Sequence, residues 1–488
     1  MKVPPVLERY RSIVDDFDAF VEASSLPLEK TFRVNRVNRK PEAAARWTHA
    51  VSSHIERVPW LDDAFVIRGN GSFHFMAGYL AGLFHIQEAS SMVPAAVLAP
   101  RPGDRVLDLC AAPGNKTAQL AQAVGPTGTV VANDVSRERL GVARTTLDRL
   151  SLSNVILTAM DAAELPVDVG LFDAVLADVP CSCEGTSRRH PNVLFRTETG
   201  FRERLVTLQE RILRRALEAC RPGGRVVYAT CTYAPEECEG VVTDVLESDA
   251  GRGWSLVSAR IAGLETDPGL RSFAGRRYHP DMEKTIRIWP HANDTGGFFV
   301  ALLESDEDRV VRKDPDENET GARAKRRTAN SPACVNAFPE ALMRQFDLPQ
   351  DVADRLCVFP GTRRYATVLE RTCRPPLAEI IQGVGVRAIG MKGGRLRLST
   401  AGVMLLGAHA RSRALDLEDA ALRAYLAREN VPLRRNQMAA TGACIVLSEG
   451  LAFGRGERAC LDGGGLLLSQ YPRVSSGVYV QPSIGEPE

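Results

Sequence analysis

The stretch DRVLDLCAAPGNKT, residues 104–117, decides the fold. A short apolar run ends at an aspartate, Asp108, then passes through small residues and Gly114 into TAQLAQAV, which reads as a helix. An uninterrupted apolar run is a strand buried on both faces, and small residues at its end let a ligand approach the backbone. Working outward, GTVVANDVS (128–136), NVILTAMDAAEL (154–165), FDAVLADVPC (172–181) and GRVVYATCTY (224–233) repeat the pattern. Helical stretches separate them. The clearest is FRERLVTLQERILRRALEAC (201–220), whose Phe201, Leu205, Leu208, Ile212, Leu213, Ala216 and Cys220 make one apolar stripe before RPGG breaks it. Strand–helix alternation of this kind predicts an α/β fold with a parallel, doubly wound sheet. In TIRIWPHANDTGGFFVALLE (285–304) two apolar runs flank a turn, a β-hairpin that would close the sheet. Upstream, the spacing predicts a helix near 5–24, and TFRVNRVN (31–38) a strand with arginines on one face.

The chain has 488 residues, too many for one core, so two to four domains are expected. Its 44% apolar and 25% charged residues are those of a globular protein. No uncharged apolar run approaches the ~18 residues of a membrane span, and the acidic, amphipathic N-terminus is no signal peptide, so a cytoplasmic protein without a membrane partner is expected. Eleven cysteines contain no Cys-x-x-Cys pair, which argues against a structural zinc knuckle; no metal is expected. Each cysteine is by default a small buried hydrophobe in a reducing compartment. The net charge of +1 excludes a uniformly basic nucleic-acid binder but not a local basic face. Arginines do cluster in 33–40, 187–196 and 323–327.

Residues 306–332 are charged and patternless and read as a linker. Beyond it lie short strands around Lys-Gly-Gly (383–407), a helix (417–429) and glycine-punctuated β-structure (442–473), with no catalytic constellation. One or two small binding modules are expected. The division is 1–85, 86–305, a linker at 306–335, an extension at 336–410 and a last module at 411–488.

In an open parallel sheet, ligands bind at the carboxyl ends of the strands. The CAAPGNK loop is neither a dinucleotide fingerprint nor a Walker loop, which lowers the weight of nucleotide readings. The second strand ends in Asp134, suited to the hydroxyls of a ribose. The third ends in Asp161, suited to an adenine amino group. In order, these fit an S-adenosylmethionine pocket, although each acid alone could simply cap a helix. The fourth and fifth strands end in Asp178, Cys181 and Cys231, which the doubly wound order brings beside the methyl donor. Carbon 5 of a pyrimidine is a weak nucleophile. A thiolate added to carbon 6 makes an enamine whose carbon 5 can attack a methyl sulfonium. Methylation of nitrogen or oxygen needs no cysteine, so two thiols point to carbon methylation. Asp178 is suited to hold N3 and the 4-amino group.

LDLCAAPGNKTAQLA, ANDVSRERL, DVPCSCEGT, YATCTYAPEECE and RIWPHANDTGGFFVALL resemble, in order, the motifs of the NOL/NOP/Sun (NSUN) family of RNA cytosine carbon-5 methyltransferases. The resemblance covers roughly 85–305. FRVNRVN resembles the family's N-terminal RNA-binding strand, and IQEASSM (86–92) the segment leading into its core. It implies a Rossmann-like class I sheet, an N-terminal α+β RNA-binding subdomain and a C-terminal PUA-like β-rich module. It implies that Cys110, Ala111, Ala112, Pro113, Gly114, Asn115 and Lys116 hold the methionine part of S-adenosylmethionine, Asp134 its ribose and Asp161 its adenine. Asp178 would lie at cofactor and target base. It names Cys231 as nucleophile and Cys181 as the thiol that assists breakdown of the adduct, a choice the residues alone do not make, since DNA enzymes of this chemistry use the Pro-Cys thiol. Two positions depart from the family: Asn115 replaces a glycine, and Cys183 stands where glycine is usual. Asn115 is tolerated where left-handed angles are needed; Cys183 reads as a filler without a role. Arg33 and Asn35 are candidates for RNA contact, and Arg188, Arg189 and His190 either grip phosphates or are solvated. The architecture resembles the bacterial branch acting on small-subunit (16S) ribosomal RNA, as a monomer; transfer RNA, a DNA substrate and a non-catalytic RNA-binding scaffold remain the alternatives.

Overall fold

The structure, a computed structural model, describes residues 3–35, 37, 55–67, 73–166, 169–195, 200–309, 337–362, 365–376, 378–392, 395–438, 441–461 and 464–472. The centre of the expected linker, the RAKRR cluster and Arg36 lie outside these residues.

The five expected core strands form at Arg105–Asp108, Thr129–Asn133, Val155–Thr158, Phe172–Asp178 and Cys220–Thr230. They run parallel in the order fifth, fourth, first, second, third. The switch point therefore lies beside the first strand, and the loops after the first and fourth strands open on the same edge. The hairpin also forms: Ile286–Ile288 pairs antiparallel with Phe298–Ser305, which lies against the fifth strand, with the short helix Pro290–Asn293 between them. Apolar clusters cover both faces, one built on Phe172, Tyr228, Phe299 and the helix Phe201–Ala219, the other on Val106, Leu120, Val130 and Leu147.

Several expectations change. The single helix near 5–24 is two, Pro5–Glu8 and Phe17–Ser25, because Asp16 caps the second by accepting from Ala19 N. The strand at 31–38 is described only as Lys30–Val34, in a four-stranded antiparallel sheet with 55–57, 64–67 and 84–86. Cys220 starts the fifth strand instead of ending the preceding helix.

The C-terminal part builds an antiparallel four-stranded sheet over 356–398 and a five-stranded sheet over 414–469. It is not packed apart from the rest. Ile381–Val384 pairs with the third core strand and becomes the far edge of the central sheet. Phe32 and Phe84 of the N-terminal sheet share one core with Tyr425, Phe453 and Leu467. The stretch 306–335 thus does not separate two hydrophobic cores, since chain on both sides of it contributes to one sheet and one cluster.

Candidate active site

Gly114 closes the loop after the first strand with φ +100°, and a Cβ there would meet Ala143 Cα at 3.0 Å, so backbone angle and close approach both demand glycine. The helix Asn115–Val124 begins directly behind it with no side-chain cap, leaving its first amides directed at the loop. Asn115 sits inside that helix and needs no left-handed angle. Its Oδ1 instead meets His85 Nε2 at 2.9 Å. Arg149 donates to His85 Nδ1 (2.9 Å), so Nε2 carries the proton. Burial, then Arg149, push the His85 pKa down to about 4, which keeps the ring neutral.

Below the loop, Asp134 accepts from Ala112 N (3.1 Å) and Ser136 N (2.9 Å) and is 3% exposed. Arg139 donates to Ala112 O (2.7 Å). Asp108 accepts from Thr117 Oγ1 (2.6 Å), while its other oxygen is buried without a partner. Burial pushes its pKa up to about 7. Asp161 is exposed and accepts from Ala163 N, capping the short turn after the third strand.

A cavity of about 190 Å³ opens beside the loop. Cys110–Pro113, Asn115, Lys116, Asp178 and Cys231 line one side, and Glu88, Ser90, Ser91 and Gly296–Phe298 the other. Asp134 and Asp161 are not in this lining but follow it at the ends of the next two strands. Lys116 Nζ meets Asp178 Oδ2 at 2.7 Å and lies 5.0 Å from the Phe298 ring centre. Burial works against the Lys116 charge, but Asp178 outweighs it and holds the pKa above the ordinary lysine value.

Cys181 and Cys231 do converge, Sγ to Sγ at 3.3 Å. Cys231 faces the cavity; Cys181 lies behind it, 6% exposed. Hydrogen bonds with Cys183 and Cys231, then burial, lift the Cys181 thiol well above the ordinary range. Cys231 is lifted too: its bond with Cys181 favours the thiolate, but its bond with Cys183 and burial prevail.

The strand-end loops are stitched together. Gly185 N donates to Cys231 O (2.9 Å), Gly297 N to Gly185 O (2.9 Å), and Ser182 and Thr232 hydroxyls meet at 2.6 Å. Glu184 accepts from Tyr10 and Arg202, and Glu237 from Ser182 N and Gln209. The clasp residue Glu88 accepts from Ser90 N, Ser91 N and Gly296 N, joining the IQEASSM turn to the hairpin. Sequence reasoning assigned no role to Glu88, Glu184, Glu237 or Gly185. A carboxylate among small residues was the only available sign.

Two expectations for RNA contact fail. Arg33 is buried on Asp63 (2.6 Å). Asn35 is fully buried and donates to Gly82 O and Leu150 O. Arg188 holds backbone oxygens of Leu26, Pro27 and Thr295 and pairs with Asp294, so it is structural; Arg189 and His190 are exposed, and Arg189 reaches the cavity rim. A wider groove of about 1000 Å³, lined by Arg344, Arg411, Arg413 and Arg458, lies in the C-terminal part, and no cysteine is among its described lining residues.

Strand order, glycine loop and paired thiols define a methyltransferase of the Rossmann-like class. Comparison with known proteins agrees. Residues 95–304 match the 16S rRNA methyltransferase RsmB/F family, and 5–89 match the N-terminal domain of 16S rRNA methyltransferase RsmF. A tRNA (cytosine(49)-C(5))-methyltransferase of Pyrococcus abyssi is 33% identical over 61% of this chain and 94% of its own length. Ribosomal RNA small subunit methyltransferase F of Erwinia tasmaniensis is 33% identical over 62% of this chain and 63% of its own. A solved methyltransferase homolog from Pyrococcus horikoshii superposes with a TM-score of 0.54 at 32% identity, covering 61% of this chain and 93% of that one. The chain belongs to the NOL1/NOP2/Sun family of RNA cytosine carbon-5 methyltransferases, which includes RsmB and RsmF. It spans less than two thirds of the length of several relatives, 63% of the Erwinia protein and 36% of the mouse 28S rRNA (cytosine-C(5))-methyltransferase.

Proposed function

We propose that this chain transfers a methyl group from S-adenosylmethionine to carbon 5 of a cytosine in RNA, with 16S ribosomal RNA the preferred substrate, acting as a cytoplasmic monomer. The observation that carries the reading is Cys231 on the wall of a cavity it shares with Asp178 and Lys116, with a second thiol 3.3 Å behind it. The match of 5–89 to the RsmF N-terminal domain supports ribosomal RNA. The similar archaeal tRNA enzyme keeps transfer RNA as the second substrate to test.

The residues fit the cofactor. The glycine loop Cys110–Pro113 lines the cavity, the helix behind it is uncapped, and Asp108 holds a buried unpartnered oxygen beneath the loop. Cys110–Lys116 would hold the methionine part, Asp134 the ribose and Asp161 the adenine. Bound there, S-adenosylmethionine supplies the electrophilic methyl. The protein does the rest. Cys231 Sγ, as thiolate, adds to carbon 6 of a cytosine turned out of its strand, and carbon 5 becomes nucleophilic. Asp178, steered by Lys116, holds N3 and the 4-amino group. When carbon 5 has been methylated, a base takes its proton, that electron pair re-forms the 5,6 double bond, the carbon 6–sulfur bond breaks with its pair returning to Cys231, and Cys181 assists this release.

The two thiols give the test. Cys231→Ala should abolish methylation and leave no covalent RNA complex. Cys181→Ala should accumulate a protein–RNA band that survives denaturing gels, and the double variant should lose it. A band with Cys231→Ala and none with Cys181→Ala would reverse the roles. Bisulfite sequencing of ribosomal and transfer RNA from a deletion strain decides the substrate.

A further inference from the structure

Cys183 plays no part in the chemistry above, yet it completes a triangle. The sulfurs of Cys181, Cys183 and Cys231 all lie within 4.8 Å of one another, with Cys181 3.3 Å from Cys231 and 3.9 Å from Cys183. Three sulfurs about 2.3 Å from one zinc ion stand about 3.8 Å apart, so side-chain rotations that move the sulfurs by up to about 1 Å would bring all three to bonding distance. No such triangle was visible as a Cys-x-x-Cys spacing, because two ligands come from a Cys-x-Cys turn and the third from the end of the next strand.

Two further observations separate this cluster from a chance meeting of fillers. Cys183 has φ +62° and ψ +21°, a left-handed conformation that glycine adopts freely and a side-chain-bearing residue does not. Its backbone is fixed there, since Thr186 donates to Cys183 O through both its amide and its hydroxyl. The third sulfur is itself placed beside the others by donating to Cys181 O (3.2 Å). The loop is also rigid on its far side, where Gly185 N is bonded to Cys231 O. The Cys231 wall is open to the cavity, which gives an ion an entry path and leaves its fourth position for water.

We propose that Cys181, Cys183 and Cys231 form a binding site for one thiophilic divalent cation of the zinc type, and that occupancy switches methyl transfer off by taking the sulfur of Cys231. The inhibitory half rests on the function proposed above; the binding half does not. On binding, three sulfur–hydrogen bonds break, three protons pass to the solvent, and three metal–sulfur bonds form, with no change of oxidation state. The resulting centre carries one negative charge and shares its cavity with the Lys116–Asp178 pair.

The experiment uses the full chain, kept reduced with a phosphine, and Cd2+ as the probe. Titration should give a thiolate-to-metal charge-transfer absorption that saturates at one tight equivalent and is displaced by excess Zn2+. Cys183→Gly suits the backbone at that position, so its melting temperature should not fall, and its inhibition by Zn2+ is read as a fraction of its own metal-free rate. Its Cd2+ affinity should drop at least tenfold, and its methylation should resist Zn2+ by the same factor. Cys460→Ser, which removes an exposed thiol elsewhere, should change neither quantity. A parent without the absorption, or a Cys183→Gly variant that binds Cd2+ as tightly as the parent, overturns the site. Tight binding lost in the variant but with Zn2+ sensitivity unchanged overturns the switch. If neither protein methylates RNA while binding behaves as stated, the site stands and the proposed activity fails.

Discussion

Replacing Gly185 by alanine tests whether the stitched loops hold the thiols in register. A Cβ at 185 would lie 2.3 Å from Gly297 O and 2.7 Å from Gly297 C. An ordinary close carbon–oxygen contact is about 3.3 Å, so the two backbones must part by about 1 Å. Neither neighbour is a flexible side chain that could turn away. The same residue accepts from Gly297 N and donates to Cys231 O, so the parting is passed directly to the Cys231 backbone. A displacement of about 1 Å in a catalytic group costs about a hundredfold in rate. The overpacking itself costs about 1–3 kcal/mol, a loss of several degrees in Tm. Single-turnover transfer of labelled methyl to RNA, at a temperature where calorimetry shows the variant folded, separates the two effects. Gly141→Ala is the control: it lies on the helix 137–150 with nothing within 4 Å, so activity should hold and stability rise by up to about 1 kcal/mol. Gly185→Ala with parental rate would refute the claim that this contact sets the position of Cys231.

Asp108, with its pKa raised from 3.8 to about 7, holds a proton that the unfolded chain releases, so stability should fall as pH rises from about 4 to 7. Asp108→Asn should flatten that slope by up to about 1.4 kcal/mol per pH unit, and an unchanged slope in denaturant titrations would exclude Asp108 as its source. Arg287 and Glu239 form a fully buried pair, and Arg287 also donates to Tyr233 O (2.9 Å); Arg287→Ala should cost about 3–5 kcal/mol, far more than Arg287→Met with Glu239→Leu, and equal losses would show that charge pairing is not the cause. A chain ending near 306 loses the edge strand 381–384 and the C-terminal half of the Phe32–Phe84 core, so it should be poorly soluble and bind S-adenosylmethionine weakly by calorimetry. Cofactor affinity equal to that of the full chain would show that the core domain stands alone.

What was legible in the sequence follows from periodicity and from backbone demands. The five core strands are continuous apolar runs ending in or just before Asp108, Asp134, Asp161, Asp178 or a thiol, and both their order and the Cys181–Cys231 approach follow from doubly wound topology. Contacts formed between distant segments left no such mark. Arg33 and Asn35 alternate with apolar residues as exposed strand residues do, yet the partners that bury them are Asp63, Gly82 and Leu150. Ile381–Val384 is too short and mixed to announce itself as an edge of the central sheet. The three-thiol cluster needed the fold as well, because Cys231 is 50 residues from Cys181. The PUA-like character expected of 411–488 stays a proposal, supported by a five-stranded sheet and, among the described residues, one α-helix.

The helix Arg137–Leu150 explains why the C-terminal part can matter to a site it does not line. At its start, Ser136 and Arg139 hold Asp134 and Ala112, the floor and the turn of the glycine loop. At its middle, Ala143 packs on Gly114, and Arg144 donates to Val384 O and Gly385 O of the edge strand. At its end, Asp148 pairs with Arg387 (2.6 Å), Arg149 grips Tyr79 O, Phe84 O and His85, and Leu150 O accepts from Asn35. One rigid element thus joins the cofactor loop, the N-terminal sheet and the C-terminal strand. A force that tilts the helix at its Asp148 end must move Ala143 against a glycine that has no room to yield.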